Sequence, residues 1–437
     1  MTIEKIVPVS LDMFVQGAEN RSARTNRQLA HLMGDYFGRG RLHLYRGIRS
    51  GCVLTLTEDT AIKINEYVFS QISETFDLPP RSDPQEFYVQ QQKQARGVIG
   101  YVGNLLPEAA KDLELKDEIA YYSDRPSDVF ELLSKPPDKI DPALAYELQR
   151  HLLLAHISGF INARTLNGRL TTSLAKIQKH FNQSLYEGLE GAGERFILGS
   201  IHDDVTNEVV DFPGENKRVP STAHLKQVPF TVRRISGIGL VATSPRKKDD
   251  ENAVIKALSE ACDNGGIIDI KSIQDGMGMM YVLMNNNMPE EQQDEQLEYL
   301  VSRVVGELQS SPLKIKETRR EDHVDANRGQ SPDIKFKRLI VDFEGEFVPP
   351  LEMMFYNAKD YLNSRLEVGQ RDPKTGLFMG QAYELYRLRR IYPVLSILFP
   401  SAIYDRDPVR RLDLHRIVVK RSYTMAQELR GSYREAA

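Results

Sequence analysis

A glutamate among apolar residues is the part of this sequence with the clearest potential for chemistry. Glu352 lies between Leu351 and Met353, in a stretch that continues into Phe355. A carboxylate in apolar surroundings costs free energy unless a metal ion, a base or a ligand stabilises it. A solvent-facing position on an edge strand would also account for this pattern. Glu352 is therefore a candidate functional residue whose burial decides between the two interpretations.

The elements around Glu352 are predicted to be two strands followed by helices. The runs Lys335–Phe343 and Leu351–Phe355 are rich in apolar and β-branched or aromatic residues, and Glu344-Gly345 marks a turn after the first of them. The spacing of apolar residues then predicts helices over Ala358–Leu366, Gly380–Ile391 and Leu412–Gly431.

This order of strand, turn, strand with a central glutamate, and helix with aromatic and basic residues resembles the second half of the RelA/SpoT-type synthetase domain. That family transfers pyrophosphate from ATP to a guanosine nucleotide and uses magnesium. By position, Phe336 resembles the aromatic residue that stacks on guanine, and Glu352 resembles the catalytic glutamate. Upstream, RVPSTAHLK resembles the family's phosphate-binding helix, and the matching residues are Arg218, Ser221 and Lys226.

Several positions differ from the family pattern. The strand that supplies a metal-binding aspartate in the family falls on Arg234–Gly239, which contains neither that aspartate nor the arginine that follows it. Ile340 stands where the family has a histidine, and Met354 and Tyr356 stand where it has a glutamine and an arginine. The metal ligand must therefore come from another carboxylate.

The resemblance implies roles for the other charged residues of the hairpin. Phosphoryl transfer needs charged groups or metal ions that offset the developing negative charge. We expect Asp342 to act in catalysis with Glu352, and Glu344 to bind Mg²⁺ with Glu352. The lysines on either side of the aromatic residue, Lys335 and Lys337, are expected to hold phosphates.

The preceding segment, residues 231–320, shows the order β-α-β-β-α-β of a ferredoxin-like split arrangement. Asp275-Gly276 is a hairpin signal between its second and third strands. In length and pattern the segment resembles an ACT-type ligand-binding module, which implies edge-to-edge dimerisation and a small effector. The predicted elements are strand Ile235–Thr243, helix Asp250–Cys262, strands Ile267–Ile273 and Met279–Met284, helix Glu290–Leu308 and strand Leu313–Glu317.

The predicted fold class is α+β, in four segments. Residues 1–75 are expected to be β-rich, because RLHLYRGI, CVLTLT and AIKINEYVF alternate or run apolar. Residues 76–230 are expected to be mostly helical, with helices that begin at Pro142 and near Leu170. The ferredoxin-like segment 231–320 follows, and residues 321–437 form the β-hairpin and the C-terminal helices.

Two further clusters have competing interpretations. Residues 37–51, FGRGRLHLYRGIRSG, combine glycines with arginines that could hold a phosphate, but the same alternation is typical of an exposed strand face. His202-Asp203-Asp204 could bind a metal ion or form a polar turn between strands. The sequence contains no H-E-x-x-H, G-x-S-x-G, C-x-x-C or kinase signature.

The composition indicates the cellular compartment in which the protein is expected. The 437 residues include two cysteines, Cys52 and Cys262, which fits a reducing compartment and excludes a disulfide framework. No secretory signal or membrane-spanning stretch is visible, so a cytoplasmic location is expected. The net charge of −4 is small, but arginines are concentrated in residues 21–51 and basic residues in 387–421.

Three functions follow from these patterns. The first is a nucleotide-binding protein with a divergent pyrophosphokinase- or nucleotidyltransferase-like domain, which binds ATP or GTP with Mg²⁺. The second is a non-catalytic protein that senses a small molecule or assembles as a homodimer through its ferredoxin-like segment. The third is a nucleic-acid-associated protein that uses its arginine-rich ends, whose binding would weaken steeply with salt.

Overall fold

Helices come first along the described chain and a mixed sheet with helices follows, so the fold class is α+β. This confirms the predicted class. A computed structural model describes residues 58–114, 117–134, 142–166, 169–186, 194–197, 201–202, 209–211, 229–247, 250–263, 277–284, 288–311, 314–321, 336–344, 350–358, 360–361, 364, 368–378, 383–400, 404 and 413–435.

The chain divides into two units, each assembled from separated stretches of sequence. The described residues of the first unit fall within Met1–Asn167, Asp249–Ile273 and Arg390–Val418. Those of the second fall within Gly168–Lys248, Gln274–Arg389 and Val419–Ala437.

Most helices of the first unit precede the strands. They are α1 (Glu58–Thr75), α2 (Pro84–Leu105), a 3₁₀ turn (Pro107–Ala109), α3 (Ala110–Leu113), α4 (Asp117–Asp124), α5 (Pro126–Ser134) and α6 (Pro142–Leu166). One further helix of this unit, α8 (Asp250–Asp263), follows five strands. Between α6 and α8 the chain forms α7 (Arg169–Ser184) in the second unit. The C-terminal helices are α10 (Tyr383–Leu398) and α11 (Leu414–Glu435).

The central element of the first unit is α6. It begins at Pro142, as predicted, because proline loses nothing at the first helical position, where the amide has no partner within the helix. From Arg150 to Gly159 every side chain is buried. A helix that is buried on all sides has no polar face to give it amphipathic periodicity.

Polar contacts tie α2, α6 and α8 together within this unit. The Gln94 amide nitrogen of α2 donates to Asn162 of α6 at 3.1 Å and to the Asp250 carboxylate of α8 at 3.0 Å. At the other end of α6, Arg150 donates to the Leu398 carbonyl at 2.9 Å and to the Tyr404 hydroxyl at 3.0 Å. These bonds satisfy polar groups that would be costly to bury alone.

The second unit is built on a seven-stranded sheet. Its strands are β1 (Glu194–Ile197), β4 (Pro229–Ile235), β5 (Gly239–Lys247), β6 (Met277–Leu283), β7 (Ile315–Glu321), β8 (Phe336–Phe343) and β9 (Leu351–Asn357). They are ordered β1-β4-β5-β6-β9-β8-β7, and among the described strands only β6 and β9 pair in parallel. A separate hairpin pairs β2 (Ile201–His202) with β3 (Val209–Asp211).

One face of the sheet packs against α7 and against α9 (Glu290–Gln309). Apolar residues of α9 at helical spacing are buried there, as the sequence predicts: Leu297, Leu300, Val301, Val304 and Leu308. On the sheet side, Tyr281 stacks on Phe355 with ring centroids 5.0 Å apart. This layer is the main core of the second unit.

The prediction of a β-rich N-terminal segment is wrong where the structure describes it. AIKINEYVF forms part of α1, and residues 1–57 lie outside the described part of the chain. The buried residues Ile64, Val68 and Ile72 recur every four positions, which is helical spacing. The β-branched residues of this run obscured that period.

The ferredoxin-like segment is not confirmed as a unit of its own. Its first helix, α8, belongs to the first unit, whereas its described strands belong to the second. The predicted strand Ile235–Thr243 is instead two strands joined by a turn, in which Gly237 has a φ of +75° that favours glycine. The predicted strand Ile267–Ile273 lies outside the described residues.

The remaining elements agree better with the sequence. The strands predicted at Lys335–Phe343 and Leu351–Phe355 are β8 and β9, which pair in antiparallel register. The last two predicted helices correspond to α10 and α11. None of the helices that the structure describes has the length and apolar composition needed to cross a bilayer.

Two helical glycines of the first unit should respond to alanine in opposite ways. A Cβ atom on Gly159 would lie 2.6 Å from the Phe76 ring and 2.8 Å from the Gln91 amide, whereas Gly100 has nothing within 4 Å. We expect Gly159→Ala to lower the free energy of unfolding by about 1–3 kcal/mol. Gly100→Ala should raise it by about 0.5–1 kcal/mol. Urea denaturation of both variants measures this, and equal effects would contradict the packing.

His151 should make stability depend on pH. Burial, and then the charges of Arg96 and Arg150, lower the pKa of His151 from 6.5 to about 3. Between pH 6.5 and 3, His151 is therefore protonated in the unfolded chain and neutral in the folded chain. Stability should fall by roughly 1.4 kcal/mol per pH unit between pH 6.5 and 3 on account of this residue. Denaturation of His151→Leu across this range should show a shallower slope, and an unchanged slope would exclude this assignment.

Candidate functional site

Side chains of the β8–β9 hairpin alternate between the two faces of the sheet. Leu351, Met353 and Phe355 of β9 lie in the core beneath α9. The alternate residues lie on the opposite side of the sheet, which we term the Glu352 face, and Ile340, Glu352 and Tyr356 are buried there. It contains Glu352, Met354 and Tyr356 of β9 and, in register with them, Ile340, Arg338 and Phe336 of β8.

Glu352 is buried and forms an ion pair. Its exposed fraction is 7%, and its Oε1 accepts a hydrogen bond from Arg338 Nε at 2.7 Å. The Arg338 side chain keeps 22% of its surface exposed. The sequence left open whether Glu352 faces solvent on an edge strand. It does not, because β9 is flanked by β6 and β8.

A glycine lies directly beside Glu352 on the neighbouring parallel strand. Gly278 of β6 is in register with Glu352, and the next residues on that side, Met280 and Val282, are buried apolar side chains. Glycine within a strand is typical of a position where a ligand or another group approaches the backbone closely. No side chain of β6 therefore covers Glu352 at its own level.

A second ion pair lies on the same face. Asp342 is two residues from Ile340, which is opposite Glu352, so the two carboxylates are diagonal neighbours across β8 and β9. Arg319 of β7 donates to the Asp342 carboxylate at 3.2 Å. The Glu352 face therefore carries two carboxylates and two guanidinium groups, arranged alternately.

Aromatic rings lie at the other end of this face. Phe336 stacks on Tyr356, with centroids 5.3 Å apart and ring planes inclined by 28°. Tyr361 contacts Tyr356 edge-on at 5.7 Å. The structure therefore brings Phe336, Asp342 and Glu352 to one face, as the sequence implied.

Lys337 is on the opposite face. It is in register with Phe355, and its ammonium group pairs with the Glu298 carboxylate of α9. Arg320 binds the same carboxylate at 2.7 Å. Partial burial raises the pKa of Glu298, but the hydrogen bonds from Lys337 and Arg320 outweigh it and lower that pKa overall. Lys337 therefore does not join Phe336 and Glu352, which corrects the expectation that it holds phosphates beside them.

Glu344 does not form a metal site with Glu352. Its side chain is 55% exposed, and its carboxylate lies 3.8 Å from the Lys314 ammonium group. The carboxylates of Glu352 and Asp342 each have a guanidinium partner instead. Within the described ranges, no group of three or more histidine, cysteine, aspartate or glutamate side chains could hold a metal ion. These residues do not fit a magnesium ion.

Several predicted residues lie outside the described part of the chain. These are the phosphate-binding candidates Arg218, Ser221, Lys226 and Lys335, together with Asp203, Asp204 and the arginine-rich residues 21–51. Of the possible metal cluster, His202 alone is described, in β2, opposite Val209.

Sequence reasoning missed Arg338, Arg319 and Gly278. Once Phe336 and Glu352 are taken as functional, strand alternation alone assigns Arg338 to the face of Phe336 and Lys337 to the other. That signal was present in the sequence. Arg319 and Gly278 lie on strands whose pairing partners cannot be read from local pattern, so only the sheet order identifies them.

No protein-family model, curated protein or solved structure matches this chain.

The ion pair between Arg338 and Glu352 should contribute to stability. In Arg338→Met the buried carboxylate loses the guanidinium group that donates to it at 2.7 Å, and we expect the free energy of unfolding to fall by about 3 kcal/mol. The matched control is Glu298→Gln, which removes a carboxylate with two cationic partners from the more exposed opposite face and should cost less than about 1 kcal/mol. Urea denaturation compares them, and an equal cost would mean that Glu352 does not depend on Arg338.

Proposed function

We propose that this protein is a cytoplasmic nucleotide-binding protein of the pyrophosphokinase- or nucleotidyltransferase-like type, and that the nucleotide binds on the Glu352 face. The observation that carries the proposal is the buried Glu352–Arg338 pair, which shares a sheet face with the Phe336–Tyr356 aromatic pair. Sites for nucleotides combine cations for phosphate with aromatic rings for the base.

The spacing of these groups suits a nucleotide. Tyr356 lies four positions after Glu352 on β9, which corresponds to roughly 13 Å at the usual strand rise of roughly 3.3 Å per residue. A base next to Phe336 and Tyr356 would extend its phosphates along the strand toward Arg338. Gly278, in register with Glu352, has no side chain to occupy that end of the face.

The ion pair also supports a chemical role for Glu352. A guanidinium group binds a phosphate through paired hydrogen bonds as readily as it binds a carboxylate. A bound phosphate would compete for Arg338 and release the Glu352 carboxylate to accept a proton from an attacking hydroxyl group. Asp342 and Arg319 repeat the same combination nearby.

Magnesium remains a prediction of the family resemblance. The described carboxylates do not form a metal site, so the role proposed for Arg338 does not depend on a metal ion. If Mg²⁺ takes part, it would enter with the nucleotide phosphates, as it does in many phosphoryl-transfer sites that use few protein ligands.

Homodimerisation through the ferredoxin-like segment is the second proposal, and the open edge of β7 favours it. β7 is the last strand of the described sheet on that side, and such an edge can pair with a second chain. However, β7 carries five charged residues, and charge on an edge strand opposes such pairing. A small effector bound at that interface belongs to the same proposal, and we rank both below nucleotide binding.

Calorimetric titration of the full chain with ATP and GTP, with and without Mg²⁺, tests the first proposal. We expect saturable binding that Arg338→Met weakens at least tenfold, because one charge-assisted hydrogen-bonding group is lost. Phe336→Ala should weaken binding by a similar factor, since base stacking contributes about 1–3 kcal/mol. Glu352→Gln should abolish turnover if the chain transfers phosphoryl groups.

The matched control is Lys337→Met, which removes a cation from the neighbouring residue on the opposite face. It should leave nucleotide affinity unchanged. If the wild-type chain binds neither nucleotide, the proposal fails. If Lys337→Met weakens binding as much as Arg338→Met does, the site is not the Glu352 face. Light scattering of the same samples measures the oligomeric state and tests the dimer proposal separately.

A further inference from the structure

The end of the parallel strand pair carries a buried amide with an unused acceptor. Asn357, the last residue of β9, is 3% exposed, and its Nδ2 donates to the Asp294 carboxylate of α9 at 3.4 Å. Its Oδ1 is buried and has no hydrogen-bond partner among the residues that the structure describes. In folded proteins such a buried carbonyl usually accepts a hydrogen bond from water or from a bound ligand.

The orientation of this amide follows from its neighbour. Rotating the Asn357 amide by 180° would direct its carbonyl oxygen at the Asp294 carboxylate, and two acceptors would then repel each other. The amide nitrogen therefore faces Asp294, and Oδ1 must receive its hydrogen bond from another group. That group has to carry an N–H or O–H donor.

The charge around Asn357 favours a cationic donor. The first turns of α9 contain five acidic residues and no lysine or arginine: Glu290, Glu291, Asp294, Glu295 and Glu298. These carboxylates offset the positive end of the helix dipole, which in their absence would attract an anion. One turn beyond Asp294, Glu298 already binds the primary ammonium group of Lys337. A carboxylate of this helix can therefore bind a primary ammonium group, and Glu298 itself is already occupied by Lys337 and Arg320.

Asn357 also lies at the carboxyl end of the parallel strand pair β6–β9. It is in register with Leu283, the last residue of β6, so both strands end here, and the chain continues from β6 to α9. The geometry points to a binding site for a small molecule with a primary ammonium group, held by Asn357 Oδ1 and the Asp294 carboxylate. This site does not depend on nucleotide binding at the Glu352 face.

Two probes of equal charge test the inference on the full chain. Methylammonium has N–H donors and tetramethylammonium has none, so they are compared as chlorides at equal ionic strength by thermal denaturation. We expect methylammonium to raise the melting temperature more than tetramethylammonium does. Putrescine, with two primary ammonium groups, should act at lower concentration than methylammonium.

Two variants test whether stabilisation by the ammonium probes depends on Asn357 and Asp294. Asn357→Leu should reduce the apparent affinity for putrescine about tenfold, because one charge-assisted hydrogen bond is lost. Asp294→Asn should have a similar effect, which covers the case in which Asn357→Leu does not fold. The control Glu298→Gln should retain the preference for methylammonium. The inference is overturned if the wild-type chain does not distinguish the two ions, or if both site variants keep the wild-type preference.

Discussion

A buried carboxylate that faces a guanidinium group constrains the second unit more than any other polar contact described here. Glu352 lies on an inner strand, where neither water nor an edge position relieves the cost of its charge. Arg338 offsets that cost only if β8 and β9 keep their register, because a shift of one residue would move Arg338 to the opposite face. The pair therefore favours the observed register of β8 and β9.

The ion pairs on the two faces of the sheet differ in position and burial. Beneath α9, Lys337 and Arg320 meet Glu298 at the margin of an apolar core, where exposed ion pairs contribute little to stability. On the Glu352 face, Arg338–Glu352 joins the inner strands β8 and β9, and Arg319–Asp342 joins the edge strand β7 to β8. The pair that contains the buried Glu352 is the one whose loss should cost more stability.

In the helical first unit, the polar residues to be explained are those buried within a single helix. Its central helix, α6, is buried along most of its length, so its polar residues must find partners within the unit or remain neutral. Arg150 finds carbonyl, hydroxyl and aromatic partners near the end of α10, whereas burial keeps His151 neutral. Stability in this unit therefore depends on the hydrogen bonds of Arg150 and on the neutral state of His151, as well as on apolar packing.

The sequence by itself determined the class of fold, the helices α6, α8 and α9, and the hairpin with its central glutamate, because these features depend on local periodicity and on residue type. Alternation along β8 was also enough to separate Arg338 from Lys337. The helical spacing of α1 was also present in the sequence but was obscured by its β-branched residues. Tertiary structure decided that α8 leaves the predicted ferredoxin-like segment for the first unit, and that Gly278 and Arg319 lie near Glu352. Both facts depend on contacts between segments far apart in sequence, and local pattern does not encode which segments or strands meet.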